Sequence, residues 1–267
     1  MSKSNAAVRR RISVADVKAS FDLSSGKELF YVTWFARPLS NYCTPFFCNL
    51  GCSANAVTLS RAIITFGVLA GLSAGSPPVL VGVVLAVYVG FVLDCVDGNL
   101  ARLYNSATYW GKFVDGLVDA LYGMLVPLAT AIGLWRVGDN GLALLAGSLT
   151  TALALSAEVG RNRMSFFREW MITQTGPLTA SDEAARVMPH RVERGIVSVV
   201  YNSLFFAPLL LLLPNGASYF LVALVLIQAP ASIFWVMLIM IQANAILRRG
   251  RRSVHAVAHS VGRHGAV

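Results

Sequence analysis

Three observations predict an all-α, polytopic membrane protein with six transmembrane helices. The chain is 56% hydrophobic and only 13% charged, with a mean hydropathy of +0.63, outside the range of soluble globular domains. Apolar runs long enough to cross a hydrocarbon core of about 30 Å recur along it. Its basic residues concentrate in alternate loops, the distribution that orients helices in a bilayer.

Residues 1–27 are polar, basic and Ser-rich, a tail without a packed core. No uninterrupted apolar stretch of signal-peptide type follows the basic start, so no cleaved leader is expected. Between 28 and 52, Leu29, Phe30, Tyr31, Trp34, Phe35, Leu39, Tyr42, Phe46 and Phe47 alternate with polar groups, and Pro38 and Pro45 interrupt them. That segment is too broken to span but suits the headgroup level, with aromatic rings as anchors. Ser53 or Asn55 then caps the entry to the first span.

The six spans are read at roughly 56–75, 79–104, 109–135, 141–161, 195–214 and 217–247. Gly67, Gly71 and Gly75 on the first span form a small-residue ridge for close helix packing. The connection from about 162 to 194 is the longest; Arg163, Phe166, Phe167, Arg168 and Trp170 suggest an interfacial helix, and Gly176-Pro177 a break. After Leu247 the chain is Arg-rich and expected to end in disorder. The organisation is thus 1–52, a basic tail and interfacial segment; 53–247, the six-helix membrane domain; and 248–267, a second basic tail.

Orientation follows from charge. Lys3, Arg9, Arg10, Arg11, Lys18, Lys27 and Arg37 precede the first span, Arg102 and Lys112 flank the second loop, and Arg248, Arg249, Arg251, Arg252 and Arg263 follow the last span. The opposite loops at Ser76–Pro78, Val137–Asn140 and Pro214–Ser218 are nearly free of basic residues, Arg136 being the nearest. Both termini and the second loop therefore face the cytoplasm, and a bacterial inner membrane is the expected location. This topology accounts for the net charge of +9, and no soluble domain remains to bind nucleic acid. Cys43, Cys48, Cys52 and Cys95 show no CxxC spacing and read as reduced; His190, His255, His259 and His264 lack ligand partners.

The decisive feature is a set of four aspartates in apolar sequence: Asp94 and Asp97 in the second span, Asp115 and Asp119 in the third. A charge at membrane depth costs several kcal/mol, about 2.5–3.5 on insertion scales, and marks function by default. At about 100° per residue, Asp94, Asp97, Gly98, Ala101 and Arg102 share one helix face, and Gly111, Asp115 and Asp119 fall within about 80° on the next. The short loop Leu103–Trp110 makes the two helices antiparallel neighbours, so the four acids converge. Gly98, Ala101 and Gly111 leave room beside them for a bulky ligand. Oxygen-only donors select hard cations, Mg²⁺ or Mn²⁺, and two such ions would clamp a pyrophosphate. A further carboxylate would take a proton from an attacking hydroxyl, and Arg102 would grip a phosphate.

The pattern Asp94-x2-Asp97-Gly98-x2-Ala101-Arg102-x8-Gly111-x3-Asp115-x3-Asp119 resembles the signature of the CDP-alcohol phosphotransferases at every fixed position. The likeness extends to six spans, cytoplasmic termini and the Asn55-x2-Thr58 helix entry, with Ala54 where the family has proline. The resemblance implies displacement of CMP from a CDP-linked alcohol, often CDP-diacylglycerol, and transfer of the phosphoalcohol to the hydroxyl of an acceptor such as inositol phosphate or glycerol phosphate. It implies Asp94, Asp97, Asp115 and Asp119 as metal ligands, with Asp119 also the base. Gly98, Ala101, Arg102, Gly111 and Asn55 would form the CDP site. The family is generally homodimeric. Arg161, Arg191 and Arg194 are candidates for binding an acceptor phosphate and equally suit positive-inside anchoring. Arg37-Pro38-Leu39-Ser40 resembles branches that use inositol phosphate or polar CDP-alcohols.

Two alternatives remain: a polar CDP-alcohol donor with a lipid or polyol acceptor, and, in a different class, a cation transporter. In a purely structural reading Asp115 and Asp119 pair with Lys112 or Arg102, which leaves excess negative charge and no role for the small residues. The transporter reading sits poorly with acids gathered near one membrane face and with no inverted repeat.

Overall fold

The computed structural model describes residues 11–20, 29–175 and 190–264; within these, the side chains at 168, 171, 174–175, 190–194 and 245–264 lie outside the description. The expected break at Gly176-Pro177 and the tail up to residue 10 also lie outside it. The described residues form helices and no strand. Among the described residues, six helices are long and apolar enough to cross a membrane: Ala54–Ala74, Pro77–Leu103, Tyr109–Gly138, Gly141–Phe167, Gly195–Leu212 and Gly216–Asn244. The protein is therefore an integral multi-pass membrane protein of the predicted class.

A short α1 (Val14–Ala19) is held by a capping box: the Ser13 hydroxyl accepts from the Asp16 N–H, and the Asp16 carboxylate accepts from the Ser13 N–H. A π-helical turn over Val32–Ala36 runs into α2 (Arg37–Asn49). Pro38 falls in the first turn of α2, where a missing N–H costs nothing, and Pro45 is accommodated within the helix. The segment that looked broken is thus mostly helical. Its outer face exposes Trp34, Tyr42 and Phe46, and its inner face presents Ser40, Thr44 and Cys48 at four-residue intervals. Those hydroxyls meet Asn99, whose amide donates to Ser40 Oγ (3.3 Å) and Thr44 Oγ1 (3.0 Å). The Tyr104 hydroxyl donates to the Cys48 carbonyl at 3.2 Å. Buried polar groups on both sides are satisfied by one another.

The first span, α3 (Ala54–Ala74), is capped by Ser53, not Asn55: the Ser53 hydroxyl accepts from the Ala56 N–H. It ends on Gly75 in the left-handed region, φ 70°. Ser76 leads directly into α4 (Pro77–Leu103) with prolines in its first turn. After a turn containing Asn105, Thr108 caps α5 (Tyr109–Gly138) by accepting from the Gly111 N–H at 3.0 Å. The helices α6 (Gly141–Thr175), α7 (His190–Phe206) and α8 (Gly216–His264) complete the bundle, with a 3₁₀ stretch over Ala207–Leu212. Two expectations are corrected here. The aromatic stretch around Phe166, Phe167 and Trp170 is the end of α6, not a separate interfacial helix. Nor does the chain lose its fold after Leu247: the α8 backbone is helical to His264, in a stretch free of proline.

Helix α3 packs against both α4 and α5, α5 against α6, and α6 against α8. The closest approaches explain part of the glycine ridge. A Cβ on Gly71 would stand 2.5 Å from Val83 Cγ2, and one on Gly75 2.6 Å from the Gly133 carbonyl. Gly67 faces open space and takes no part. Its place is taken by Gly133 of α5, where a Cβ would collide with the Leu72 carbonyl. The main apolar core, with Val68, Leu72, Val84, Val126, Phe220 and Leu224, lies toward that end. A second cluster of Val57, Leu93, Val96 and Leu100 supports the other end, where the acids lie.

Candidate metal and phosphoryl-transfer site

The aspartates of the second span and the third come together across α3, which packs against both α4 and α5, and not through the direct packing of α5 on α4 that the short loop suggested. Asp94, Asp97 and Asp115 each offer an oxygen within 4.8 Å of the others'. Opposite oxygens around an octahedral Mg²⁺ stand about 4.2 Å apart, so the three carboxylates fit a hard divalent cation after small side-chain adjustments. Asp119, one turn beyond Asp115, adjoins this group through a shared partner.

That partner is Arg61 of α3, which the sequence reading missed. Its Nη1 bonds Asp94 Oδ1 and lies 3.1 Å from Asp119 Oδ1; its Nη2 lies 2.5 Å from Asp115 Oδ1 and 3.1 Å from the Asp115 carbonyl oxygen. One turn back on the same helix, Thr58 donates from Oγ1 to Asp97 Oδ2 at 2.8 Å. The Arg61 side chain is 5% exposed, whereas those of Asp94, Asp115 and Asp119 are 42%, 39% and 63% exposed. The guanidinium thus forms the floor of the site, and the carboxylates open away from it. Four ionised acids against this one cation leave three negative charges it does not match, a deficit suited to divalent ions. The pairing of Asp115 and Asp119 with Lys112 or Arg102, weighed from sequence, is replaced by pairing with Arg61. An arginine inside an apolar span was itself the signal that could have found it.

Two of the small residues lie against polar side chains, and Gly98, Ala101 and Gly111 are not among the residues lining the adjoining cavity. Gly111 lies against Asn55: a Cβ there would stand 2.8 Å from Asn55 Oδ1 and 3.2 Å from Thr108 Oγ1. The Arg102 guanidinium lies over Gly98, 3.6–3.7 Å from where a Cβ would be, and donates from Nη2 to Asn99 Oδ1 at 2.7 Å. Asn99 therefore links Arg102 to the hydroxyls of α2. Ala101 is half-buried on α4, one turn after Asp97.

A cavity of about 580 Å³ adjoins the acids. Its wall begins at Arg61, Asp94 and Asp119 and continues over Phe91, Tyr122, Phe205 and Leu224 into the apolar interior. On its other side stand Glu158, Arg161, Asn162 and Ser165 of α6, with Tyr201 of α7 and Gln228 of α8. Arg161 thus reaches the cavity, but its guanidinium pairs with Glu158 one turn earlier. Arg191 and Arg194 lie on the first turns of α7, their side chains outside the described residues. Tyr31 enters the cavity from the segment before α2, stacked on Phe205 at 4.7 Å. Burial pushes its phenol up to about 12, and the nearby Asp119 charge adds to the shift. It therefore keeps its proton at physiological pH. All four cysteines are free, as their spacing suggested.

A protein-family model described as CDP-alcohol phosphatidyltransferase matches residues 52–243. Comparison with curated proteins gives no match.

Proposed function

The chain belongs to the CDP-alcohol phosphatidyltransferase family, a transferase family for substituted phosphate groups in phospholipid synthesis, and from this we propose that it displaces CMP from CDP-diacylglycerol and transfers the phosphatidyl group to the hydroxyl of a polar acceptor. The observation that carries this reading is the convergence of Asp94, Asp97 and Asp115 within 4.8 Å beside a cavity that is acidic at one end and apolar along its length. Asp94, Asp97 and Asp115, with Asp119 at the edge, would hold two Mg²⁺ or Mn²⁺ ions, whose chemistry there is charge neutralisation of the pyrophosphate.

The remaining steps fall to the chain's own groups. Asp119 accepts the proton of the acceptor hydroxyl. That oxygen forms a bond to the phosphorus carrying the alcohol, and the bond from this phosphorus to the bridging oxygen breaks, so that CMP leaves with the bridging oxygen. Arg102 steadies the CDP phosphates by charge-assisted contact, and Gly98, Ala101 and Gly111 admit the nucleotide beside Asn55. The apolar wall of Phe91, Tyr122 and Phe205 favours a donor with acyl chains over a water-soluble one. Arg161, and on α7 Arg191 and Arg194, would receive an anionic acceptor such as inositol phosphate or glycerol phosphate. By the charge of its loops the site faces the cytoplasm, and as in the resembling enzymes the working unit is a homodimer.

Incubation of the purified protein with CDP-diacylglycerol, Mg²⁺ or Mn²⁺ and a panel of alcohols tests the reading. CMP release dependent on both metal and one acceptor is the expected result. No CMP release with any acceptor would remove it.

A further inference from the structure

Helix α3 carries no acid, yet it makes a contact with each of the four aspartates. Arg61 takes Oδ1 of Asp94, of Asp115 and of Asp119, and Thr58 takes Oδ2 of Asp97. In every case the contact from α3 falls on one oxygen of the carboxylate. The acids come from two different helices, α4 and α5, and only a group with several donors in a fixed plane can address both at once. All the hydrogen bonds of the guanidinium run through its two terminal nitrogens; Nε is buried without a partner.

We propose that Arg61 is a positioning residue for the divalent-cation site: its planar fork holds Asp94, Asp115 and Asp119 in the geometry that receives the ions and stays in place when they bind. The proposal rests on the reading of the acid cluster as a metal site. Ligating carboxylates are commonly oriented by such outer partners, whose loss weakens metal affinity by about 10–100-fold. A bare positive charge among the acids would act oppositely, competing with the ion and reducing its affinity. The two roles therefore differ in sign.

The test is Mn²⁺ binding to the detergent-purified protein, followed by the electron paramagnetic resonance of free Mn²⁺, for wild type, R61K and R61A. R61K keeps the charge and loses the fork; the positioning role predicts at least about tenfold weaker Mn²⁺ binding, with melting in chelator within a few degrees of wild type. R61K binding as tightly as wild type, or R61A binding more tightly, overturns the proposal. Should neither variant fold, a Mn²⁺-soaked crystal of the wild type decides. Anomalous density beside carboxylates still bonded to Arg61 is the expected result, and a guanidinium displaced from Asp94 and Asp115 overturns it. Wild type that binds no Mn²⁺ removes both this role and the metal-site reading, whereas tight wild-type binding with R61K unchanged removes this role alone.

Discussion

Arg61 Nη2 lies 2.5 Å from Asp115 Oδ1 and 3.1 Å from the carbonyl oxygen of the same residue. One side chain of α3 thus holds both the side chain and the backbone of α5 at the point where the acids meet. The contact spans 54 residues of sequence and joins the first span to the third. Arg61 is buried while Asp115 stays 39% exposed, so water screens part of the attraction, yet the geometry of the acids and the packing of α3 remain one problem.

Asp119 stands outside the three-acid group and is the most exposed of the carboxylates that bind Arg61. Asp119→Asn should lower CMP release by about 10²–10⁴-fold, the range for loss of a positioned base. Mn²⁺ should still bind through Asp94, Asp97 and Asp115, with the ion that Asp119 would share held more weakly. Turnover at the wild-type rate would exclude Asp119 as the base.

Gly111→Ala should separate binding from folding. The new methyl would press on Asn55 Oδ1 at 2.8 Å, displacing Asn55 from the proposed nucleotide side. Alanine is favoured over glycine in a helix by up to about 1 kcal/mol, so the melting temperature should hardly move while the KM for the CDP-alcohol rises. An unchanged KM would free Asn55 and Gly111 from any part in donor binding.

Gly133→Ala should do the reverse. Its Cβ would meet the Leu72 carbonyl, a backbone atom that cannot swing aside, and would also crowd Gly75. Overpacking of this kind costs about 1–3 kcal/mol, against a propensity gain of at most about 1 kcal/mol. A lower melting temperature in detergent is expected, with KM for both substrates preserved. Equal or higher stability would show that α3 and α5 have room to part.

The Tyr31 phenol supplies a pH signature. Its ionisation is raised from 10.0 to about 12 by burial and then by Asp119, so the folded protein keeps a proton that the unfolded chain releases. The stabilisation is complete below about pH 10 and disappears as pH rises toward 12. Wild type should therefore lose more melting temperature than Tyr31→Phe across that interval; identical losses would contradict a buried neutral phenol. Below pH 9 the two proteins should share one pH–rate profile, because Tyr31 does not ionise there.

Sequence alone determined the six spans and the pairing of acids on each helix, because both are encoded in short-range spacing; the meeting of the two pairs depends on α3, which packs against α4 and α5 alike. Apolar length sets which segments can satisfy their backbone in lipid, and intervals of three and four place Asp94 with Asp97, and Asp115 with Asp119, on single faces. The glycines were partly legible for the same reason: Gly111, Gly71 and Gly75 sit where spacing puts them, while Gly67 shares the interval but meets nothing. Only tertiary packing decided which cation answers the acids. Lys112 and Arg102 are nearer in the chain, but Arg102 turns to Asn99, and it is Arg61 that reaches Asp94, Asp115 and Asp119. That choice depends on α3 lodging against both α4 and α5, through approaches such as Leu72 on Gly133 that no local period records. Distant partners are selected by which surfaces fit closely, and closeness of fit is a property of the assembled helices.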